Sequence, residues 1–174
     1  MYVPLIGLAL VLYGLWTLSN QTTQAVEEAS EKETLTLDAL YEKWGRRSGL
    51  EAQLLKAIAI VESDQNPNAV NPTDPSSGLM QIWMPLNPDG TYRKRDLLNY
   101  PPDPKEQIFD PDYNLSLAVQ ILGWNQENYG WLRGIAMYNA FSARFDEPNG
   151  PFVNQGYVDK VMREYYALTP SIPV

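Results

Sequence analysis

The largely apolar run at positions 54–61, closed by Glu62 and followed by a loop rich in proline and asparagine, constrains the fold of this chain most. Leu55, Ile58 and Ala59 precede Glu62 at spacings of three and four residues, so all four share one face of a helix predicted over residues 51–62. That face is apolar and must be buried against other helices. The pattern therefore places a carboxylate on the buried side of a core helix.

Two effects act on Glu62 in this position. Burial disfavours the charged form of a carboxylate, and so does the negative end of a helix, where Glu62 falls. Both raise its pKa, which is the property of a general acid that holds its proton near neutral pH. A buried carboxylate paired with Lys or Arg is the alternative that this pattern alone leaves open.

Composition excludes several classes of chemistry. The 174 residues include no cysteine and no histidine, and the formal net charge is −8. Disulfides, thiolate or histidine nucleophilic systems and zinc sites are therefore excluded, and we expect no metal and no cofactor. The acidic balance argues against nucleic-acid binding. Acid–base chemistry must depend on Glu, Asp, Tyr, Lys or water.

Residues 1–18 contain no charged side chain. As a helix they would span about 27 Å, enough for a bilayer core. Two interpretations stay open, an uncleaved membrane anchor and a signal peptide cut near Thr23-Gln24-Ala25; the absence of Lys and Arg at the start favours the anchor. Residues 19–35 are polar and aperiodic and predict a flexible linker.

Residues 36–167 carry helical periodicity without long alternating runs, so the fold class is mainly α. Thr36 is a predicted cap for a first helix that ends around Gly49. The helix that carries Glu62 follows, and then a proline-rich loop over residues 64–77. Residues 86–108 predict a polar surface excursion with a basic patch at Arg93, Lys94 and Arg95.

Three further helices are predicted after this excursion. Asp110-Pro111-Asp112 combines a cap, a proline at the first position and an acidic first turn, and its helix continues to about Gly130, with Trp124 among its apolar residues. A short helix covers residues 131–140. Pro151 is expected to open the last helix, and residues 168–174 form a tail.

Four segments in this order resemble the motifs of lytic transglycosylases with the goose-type lysozyme-like fold, over roughly residues 37–166. They are Glu62-Ser63 with Asn66-Pro67, Ser77-Gly78-Leu79-Met80-Gln81-Ile82, Ala136-Met137-Tyr138-Asn139-Ala140, and Tyr157-Val158 with Val161. The sequence departs from the family pattern at Asn71-Pro72, where serine is frequent, at Trp83, which is inserted before Met84-Pro85, and at Phe141, where glycine is frequent.

The resemblance implies cleavage of peptidoglycan between N-acetylmuramic acid and N-acetylglucosamine, with Glu62 as the only catalytic carboxylate. Glu62 would protonate the glycosidic oxygen and then take the proton of the muramic acid C6 hydroxyl, which gives a 1,6-anhydro product. Tyr138 would hydrogen-bond near Glu62 and hold it, whereas Tyr157 would line the same cleft. The other substrate contacts that it implies are Ser63, Asn71, Ser77, Met80, Gln81 and Asn139.

Two other functions remain open. One is a lysozyme-type hydrolase with Asp74 or Asp64 as a second carboxylate; the other is a catalytically silent wall-binding or assembly component. In each case the expected partners are peptidoglycan strands and, through residues 1–18, a membrane, with the folded domain on the peptidoglycan side of the envelope. The sequence does not distinguish three purposes: remodelling of the cell's own wall, passage for a secretion machine, and passage for a bacteriophage genome. In the bacteriophage alternative the protein would be associated with a virion.

Overall fold

The computed structural model of the chain describes residues 35–84, 88, 105–140 and 151–169. The chain separates into residues 1–35 and 36–174, and apart from Leu35 every described residue lies in the second unit. The predicted anchor at 1–18, the basic patch around Lys94 and the departure at Phe141 lie outside the described residues. No helix in the described ranges has the length and apolar character needed to cross a bilayer.

The first two helices form as their sequences predict. Helix α1 covers Leu37–Ser48, and the Thr36 hydroxyl accepts a hydrogen bond from the Ala39 N–H at 3.2 Å. Gly49 ends this helix with a φ of 76°, a conformation that glycine adopts without steric cost. Helix α2 covers Ala52–Ser63 and ends at Asp64, which has a φ of 53°. The predicted inward face is confirmed, because Leu55, Ile58 and Ala59 are fully buried.

A small antiparallel hairpin follows α2. Strand β1 is Ser76–Ser77 and strand β2 is Ile82–Trp83, with Ser76 opposite Trp83 and Ser77 opposite Ile82. Strands of two residues are too short to show an alternating pattern, so the sequence did not predict them. The hairpin carries the segment Gly78-Leu79-Met80-Gln81 at its turn.

Helix α3, Pro111–Tyr129, is the longest described helix. Its predicted start is confirmed, because the Asp110 carboxylate accepts from the N–H groups of Asp112 and Tyr113 at 2.8 and 3.3 Å. One prediction near it is wrong. The surface excursion does not extend to residue 108: Lys105–Phe109 form a 3₁₀ helix in which Ile108 is fully buried. Trp124, one of the apolar residues of the helix, is 39% exposed.

Helices α4, Trp131–Asn139, and α5, Gln155–Leu168, complete the described elements. The prediction that Pro151 opens the last helix is wrong, since the helix begins four residues later. Phe152 is instead buried in a small apolar cluster with Ala136 and Val158, which holds residues 151–154 outside the helix. The helix ends at Leu168, so the boundary predicted at residue 167 falls in its last turn.

The main core lies between α1, α2 and α3 and continues to the hairpin and to Val161 of α5. Helix α3 packs against α1 and α4, and α5 packs against α2. The described part of the chain is therefore mainly α, as predicted. This packing brings four segments together: the end of α2, the hairpin, the end of α4 and the beginning of α5.

Candidate active site

Glu62 is the penultimate residue of α2 and is half-buried where the helix meets the hairpin. The pKa of Glu62 is raised from its ordinary 4.5 to about 7, because burial, with a smaller contribution from the negative charge of Asp74, outweighs the lowering effect of a hydrogen bond from Tyr157. The predicted direction of the shift and its main cause are confirmed. Glu62 is thus divided between its protonated and ionised forms near neutral pH.

The Tyr157 hydroxyl is the group that holds Glu62. It lies in the first turn of α5 and donates a hydrogen bond to Oε1 of Glu62 at 2.7 Å. Burial and the neighbouring Glu62 carboxylate raise the pKa of Tyr157 well above its ordinary value of 10.0, so the hydroxyl keeps its proton and remains a donor. The expectation gave the holding role to Tyr138 and placed Tyr157 along the cleft; the structure shows that Tyr157 bonds directly to the carboxylate.

Tyr138 lines the same cleft as Glu62, but its hydroxyl donates to the carbonyl oxygen of Met80 at 2.8 Å. It lies near the end of α4 and so fastens the hairpin turn to that helix. The main effect of this bond is to fix the backbone of the segment next to Glu62. Tyr138 acts on the shape of the cleft through the hairpin.

The hairpin turn is held from its other side by Asn114, which is fully buried in α3. Its Oδ1 accepts from the Met80 N–H at 2.7 Å, and its Nδ2 donates to the carbonyls of Ser77 and Ile108 at 3.1 and 2.9 Å. From the sequence, Phe109-Asp110-Pro111 with Asn114 resembles the segment that opens the middle helix of the lytic transglycosylases, but that resemblance gave Asn114 no role.

Gly78 makes the approach of Asn114 possible. Its φ is +82°, and a Cβ at this position would lie 2.2 Å from Nδ2 of Asn114 and 2.5 Å from the Ile108 carbonyl oxygen. A larger residue would displace the hairpin from α3. The Ser-Gly-Leu-Met-Gln segment is therefore built for close backbone contact at Gly78.

A cleft of about 280 Å³ opens beside Glu62. Of the residues expected at the site, the structure brings five to its walls: Glu62, Asn71, Gln81, Tyr138 and Asn139. It also places Asp74, Ser76 and Trp83 there, of which Asp74 was expected only in the hydrolase alternative. Within the described ranges, no group of three or more acidic side chains is arranged to hold a metal ion.

Three expected substrate contacts lie in the packing around the cleft. The Ser63 hydroxyl donates to the carbonyls of Leu79 and Ala59 at 2.7 and 3.1 Å, which ties α2 to the hairpin. Met80 is fully buried in the main core, and Ser77 is 8% exposed and pairs with Ile82. These side chains support the cleft wall from behind.

The polar side chains on the walls are held by local hydrogen bonds. Gln81 has a φ of 47°, and its Nε2 donates to the carbonyls of Gly78 and Ala69 at 2.9 and 3.3 Å. Oδ1 of Asn139 accepts from the side chain of Asn154 at 3.1 Å. Their orientation is therefore fixed before any ligand arrives.

Asp74 is the second carboxylate along the cleft. Its Oδ2 accepts from Nδ2 of Asn71 at 3.0 Å and its Oδ1 accepts from the Ser76 N–H at 2.8 Å. Asp64, the other carboxylate considered from the sequence, is exposed at the end of α2 and is not among the residues that line the cleft. Of the two, Asp74 is the one whose charge raises the pKa of Glu62.

Comparison with known proteins gives two findings. Residues 39–150 match the family model described as "Transglycosylase SLT domain". The chain is also 31% identical over 132 residues to proteins named "Membrane-bound lytic murein transglycosylase C" from Yersinia pestis (strain Pestoides F) and Yersinia pseudotuberculosis serotype O:1b (strain IP 31758). Each alignment covers 76% of this chain and 35% of the relative, so the chain matches about a third of the length of these relatives.

Proposed function

Because the chain belongs to the transglycosylase SLT domain family, we propose that it is a lytic transglycosylase that cleaves peptidoglycan between N-acetylmuramic acid and N-acetylglucosamine. The observation that carries this proposal is the position of Glu62. Its carboxyl group lies on the wall of the cleft, has a pKa of about 7 and is held by Tyr157 at 2.7 Å. Such a group can both give and accept a proton at neutral pH.

In the proposed first step, protonated Glu62 donates its proton to the oxygen that links the two sugars. The bond between this oxygen and C1 of N-acetylmuramic acid breaks, and positive charge develops on the sugar ring. The ionised carboxylate then accepts the proton of the C6 hydroxyl as that oxygen bonds to C1. The products are a 1,6-anhydro end and a free 4-hydroxyl on N-acetylglucosamine, and no water is consumed.

This mechanism needs one carboxylate rather than the usual two of glycosidases. The nucleophile belongs to the sugar that is being cleaved, so its effective concentration at C1 is high and the protein has no water to position. Tyr157 supports both steps, since its hydroxyl stabilises the ionised carboxylate between them and remains bonded to Oε1 throughout.

A lysozyme-type hydrolase is the second candidate, and the observation in its favour is Asp74 on the wall of the same cleft. In that mechanism Asp74 would act as the base or nucleophile and a water would add to C1. The local hydrogen bonds weigh against this role, because Asn71 and Ser76 already donate to both carboxylate oxygens of Asp74. Asp64 is not a candidate for the base or nucleophile of a hydrolase, since it lies outside the cleft.

The test compares Glu62→Gln with Glu127→Gln, which removes an exposed carboxylate from α3. We expect Glu62→Gln to abolish release of soluble fragments from purified peptidoglycan while the control retains it. Undiminished release by Glu62→Gln would refute the assignment. No release by the unmodified chain would favour the catalytically silent wall-binding component.

Mass spectrometry of the released fragments separates the two enzymatic candidates. The transglycosylase gives 1,6-anhydro ends, which are 18 Da lighter than the reducing ends left by water addition. Reducing ends that disappear in Asp74→Asn would establish the hydrolase instead.

The proposed location is the cell envelope, with residues 1–18 in or near the membrane and the cleft on the peptidoglycan side. The names of the two relatives, which include "membrane-bound", support this placement. Fractionation of cells that express the full chain tests it: the protein should sediment with membranes and be extracted by detergent. Recovery in the soluble fraction without detergent would contradict the anchor.

A further inference from the structure

Asn154 lies immediately before α5, in the position from which a side chain usually caps a helix. Asparagine is among the residues preferred there, because its side-chain oxygen can accept a hydrogen bond from an N–H group of the first turn. Among the described residues, however, no such bond joins the Asn154 side chain to α5. Its Oδ1 is buried and has no hydrogen-bond partner in the described ranges. A residue that is well suited to capping therefore does not cap this helix.

The amide nitrogen of Asn154 shows where its side chain points instead. Nδ2 donates to the carbonyl oxygen of Ala136 at 2.9 Å and to Oδ1 of Asn139 at 3.1 Å, both in the last turn of α4. A backbone carbonyl can only accept, so the amino side of the Asn154 amide must be the side that faces α4. An uncapped helix start and a buried oxygen without a partner are both unfavourable, and local rules of this kind are broken mostly at functional sites. The link between α5 and α4 therefore calls for a functional reason.

The backbone of Asn154 connects this link to the residue that holds Glu62. The Asn154 carbonyl oxygen accepts a hydrogen bond from the Tyr157 N–H at 2.9 Å, within the first turn of α5. The Tyr157 hydroxyl in turn donates to Oε1 of Glu62 at 2.7 Å. On the other side of the link, Asn139 lines the cleft that contains Glu62. One residue thus joins the α4 wall of the cleft to the hydroxyl that holds the carboxyl group.

We propose that Asn154 is a positioning residue that fixes the start of α5 against the end of α4 and so holds the Tyr157 hydroxyl at Glu62. Asn154 acts on the carboxyl group through Tyr157. The consequence for cleavage rests on the proposed function. The consequence for the carboxyl group does not, because the hydrogen bond from Tyr157 is made without substrate.

The test measures the pKa of Glu62 by carbon-13 NMR of the full chain, labelled at the carboxyl carbons of glutamate. The signal that is lost in Glu62→Gln identifies this residue. The Tyr157 hydrogen bond lowers the pKa of Glu62, so a weaker bond should raise it. We expect Asn154→Ala to raise the pKa by about half a pH unit, less than the roughly one pH unit expected when Tyr157→Phe removes the bond. Asp74 and Tyr138, the other titratable groups named on the cleft walls, are unchanged in these variants.

A double variant separates positioning from a general loss of stability. In the Tyr157→Phe protein, Asn154→Ala should change the pKa of Glu62 by less than about 0.2 pH unit, because there is no hydroxyl left to position. Asn154→Ser provides a side chain that can cap α5, but its single hydroxyl proton cannot replace both bonds to α4. Asn154→Ser should therefore raise the pKa by a similar amount to Asn154→Ala, and it keeps the test available if Asn154→Ala does not fold.

Gln155 provides the matched control from the same turn. Its Oε1 accepts from the Phe152 N–H at 3.2 Å, and its Nε2 donates to Oδ1 of Asp159 at 2.8 Å. Gln155→Ala removes these two bonds but keeps the link to α4, so it should leave the pKa of Glu62 unchanged.

Four results would overturn the proposal. They are an unchanged pKa of Glu62 in Asn154→Ala, an equal rise when Tyr157 is already phenylalanine, an equal rise in Gln155→Ala, and an unchanged pKa in Asn154→Ser, which would show that a cap is sufficient. A thermal melt of each variant shows that the protein measured is folded.

Failure of the positioning role and failure of the proposed function give different results. A pKa of Glu62 that depends on Asn154, in a protein that releases no peptidoglycan fragments, supports the positioning role and refutes the enzyme. Fragment release that depends on Glu62, with a pKa that does not depend on Asn154, supports the enzyme and refutes the positioning role.

Discussion

Replacing Glu62 by Gln should stabilise the fold at alkaline pH although it removes the proposed catalytic acid. Glu62 is desolvated in the folded protein, and its pKa of about 7 lies above the ordinary value of 4.5. In the unfolded chain the same carboxyl is exposed to water and ionises at its ordinary value. Folding above pH 7 therefore places a charge in an environment that disfavours it.

The size of this penalty follows from the two pKa values. They differ by about 2.5 pH units, and each unit corresponds to about 1.4 kcal/mol, so ionised Glu62 costs the folded state about 3.5 kcal/mol. Below pH 4.5 the carboxyl is protonated in both states and the penalty is absent. It grows as the pH rises from 4.5 to 7 and is complete above 7. Glutamine has nearly the same shape, carries no charge, and its Oε1 can accept the Tyr157 hydrogen bond at every pH.

The assay is denaturant unfolding of the unmodified chain and of Glu62→Gln at intervals from pH 4 to pH 8.5. The difference in the free energy of unfolding should be near zero at pH 4 and reach about 3.5 kcal/mol in favour of Glu62→Gln at pH 8.5. Glu127→Gln removes an exposed carboxylate from α3. Its free energy of unfolding should differ from that of the unmodified chain by nearly the same amount at every pH. A difference for Glu62→Gln that does not change with pH would refute the desolvation argument.

Three further changes test the contacts around the site. Tyr157→Phe removes the hydrogen bond that lowers the pKa of Glu62, so the alkaline limit of peptidoglycan cleavage, measured as kcat/KM against pH, should move up by about one pH unit. Asn114→Ala leaves three buried backbone groups without their partner, and the free energy of unfolding should fall by roughly 3 kcal/mol in a denaturant titration. Gly78→Ala would force a Cβ to within 2.5 Å of the Ile108 carbonyl oxygen at a φ of +82°, and thermal melts should show a loss of roughly 3 kcal/mol or more.

Matched variants make these results specific. Tyr138→Phe removes a hydroxyl that bonds to a backbone carbonyl, so it should leave the alkaline limit in place; an equal shift would contradict the assignment of Tyr157. Gly49→Ala has a similar φ of +76° but no atom within 4 Å of the added Cβ, and it should cost only about 1 kcal/mol. An equal loss of stability in Gly78→Ala and Gly49→Ala would show that the positive φ alone, without the close contact to Ile108, accounts for the effect at Gly78.

Features that depend on neighbouring residues were predicted well from the sequence. The caps at Thr36 and Asp110 accept hydrogen bonds from N–H groups two or three residues away. The donor and the acceptor of each capping bond therefore lie within one turn of the helix. The burial of the α2 face follows from its 3.6-residue period. Glu62 was identified for the same reason, because it shares this face.

Features set by distant packing were not predicted. Pro151 is a good first residue for a helix, yet α5 begins at Gln155 because Phe152 is buried against Ala136 and Val158. The hydrogen bond from Tyr157 to Glu62 has the same origin. Both lie on apolar helices, and only the packing of α5 against α2 decides that Tyr157, which is 95 residues from Glu62 along the chain, reaches its carboxylate.

The pKa of Glu62 depends both on neighbouring residues and on distant packing. The sequence predicts that burial raises this pKa but not by how much. The final value also depends on the Tyr157 hydroxyl, which lowers it, and on the Asp74 carboxylate in the loop before the hairpin, which raises it. A residue that donates and then accepts a proton works best when its pKa is close to the ambient pH. A much higher pKa disfavours the ionised form that accepts the proton, and a much lower pKa leaves little of the protonated form that donates it. In the proposed one-carboxylate mechanism Asp74 would therefore act through the pKa of Glu62 and not on the substrate. Its charge offsets part of the effect of Tyr157, and Asp74→Asn should move the alkaline limit of cleavage down while Tyr157→Phe moves it up. Movement in the same direction for both variants would contradict this balance.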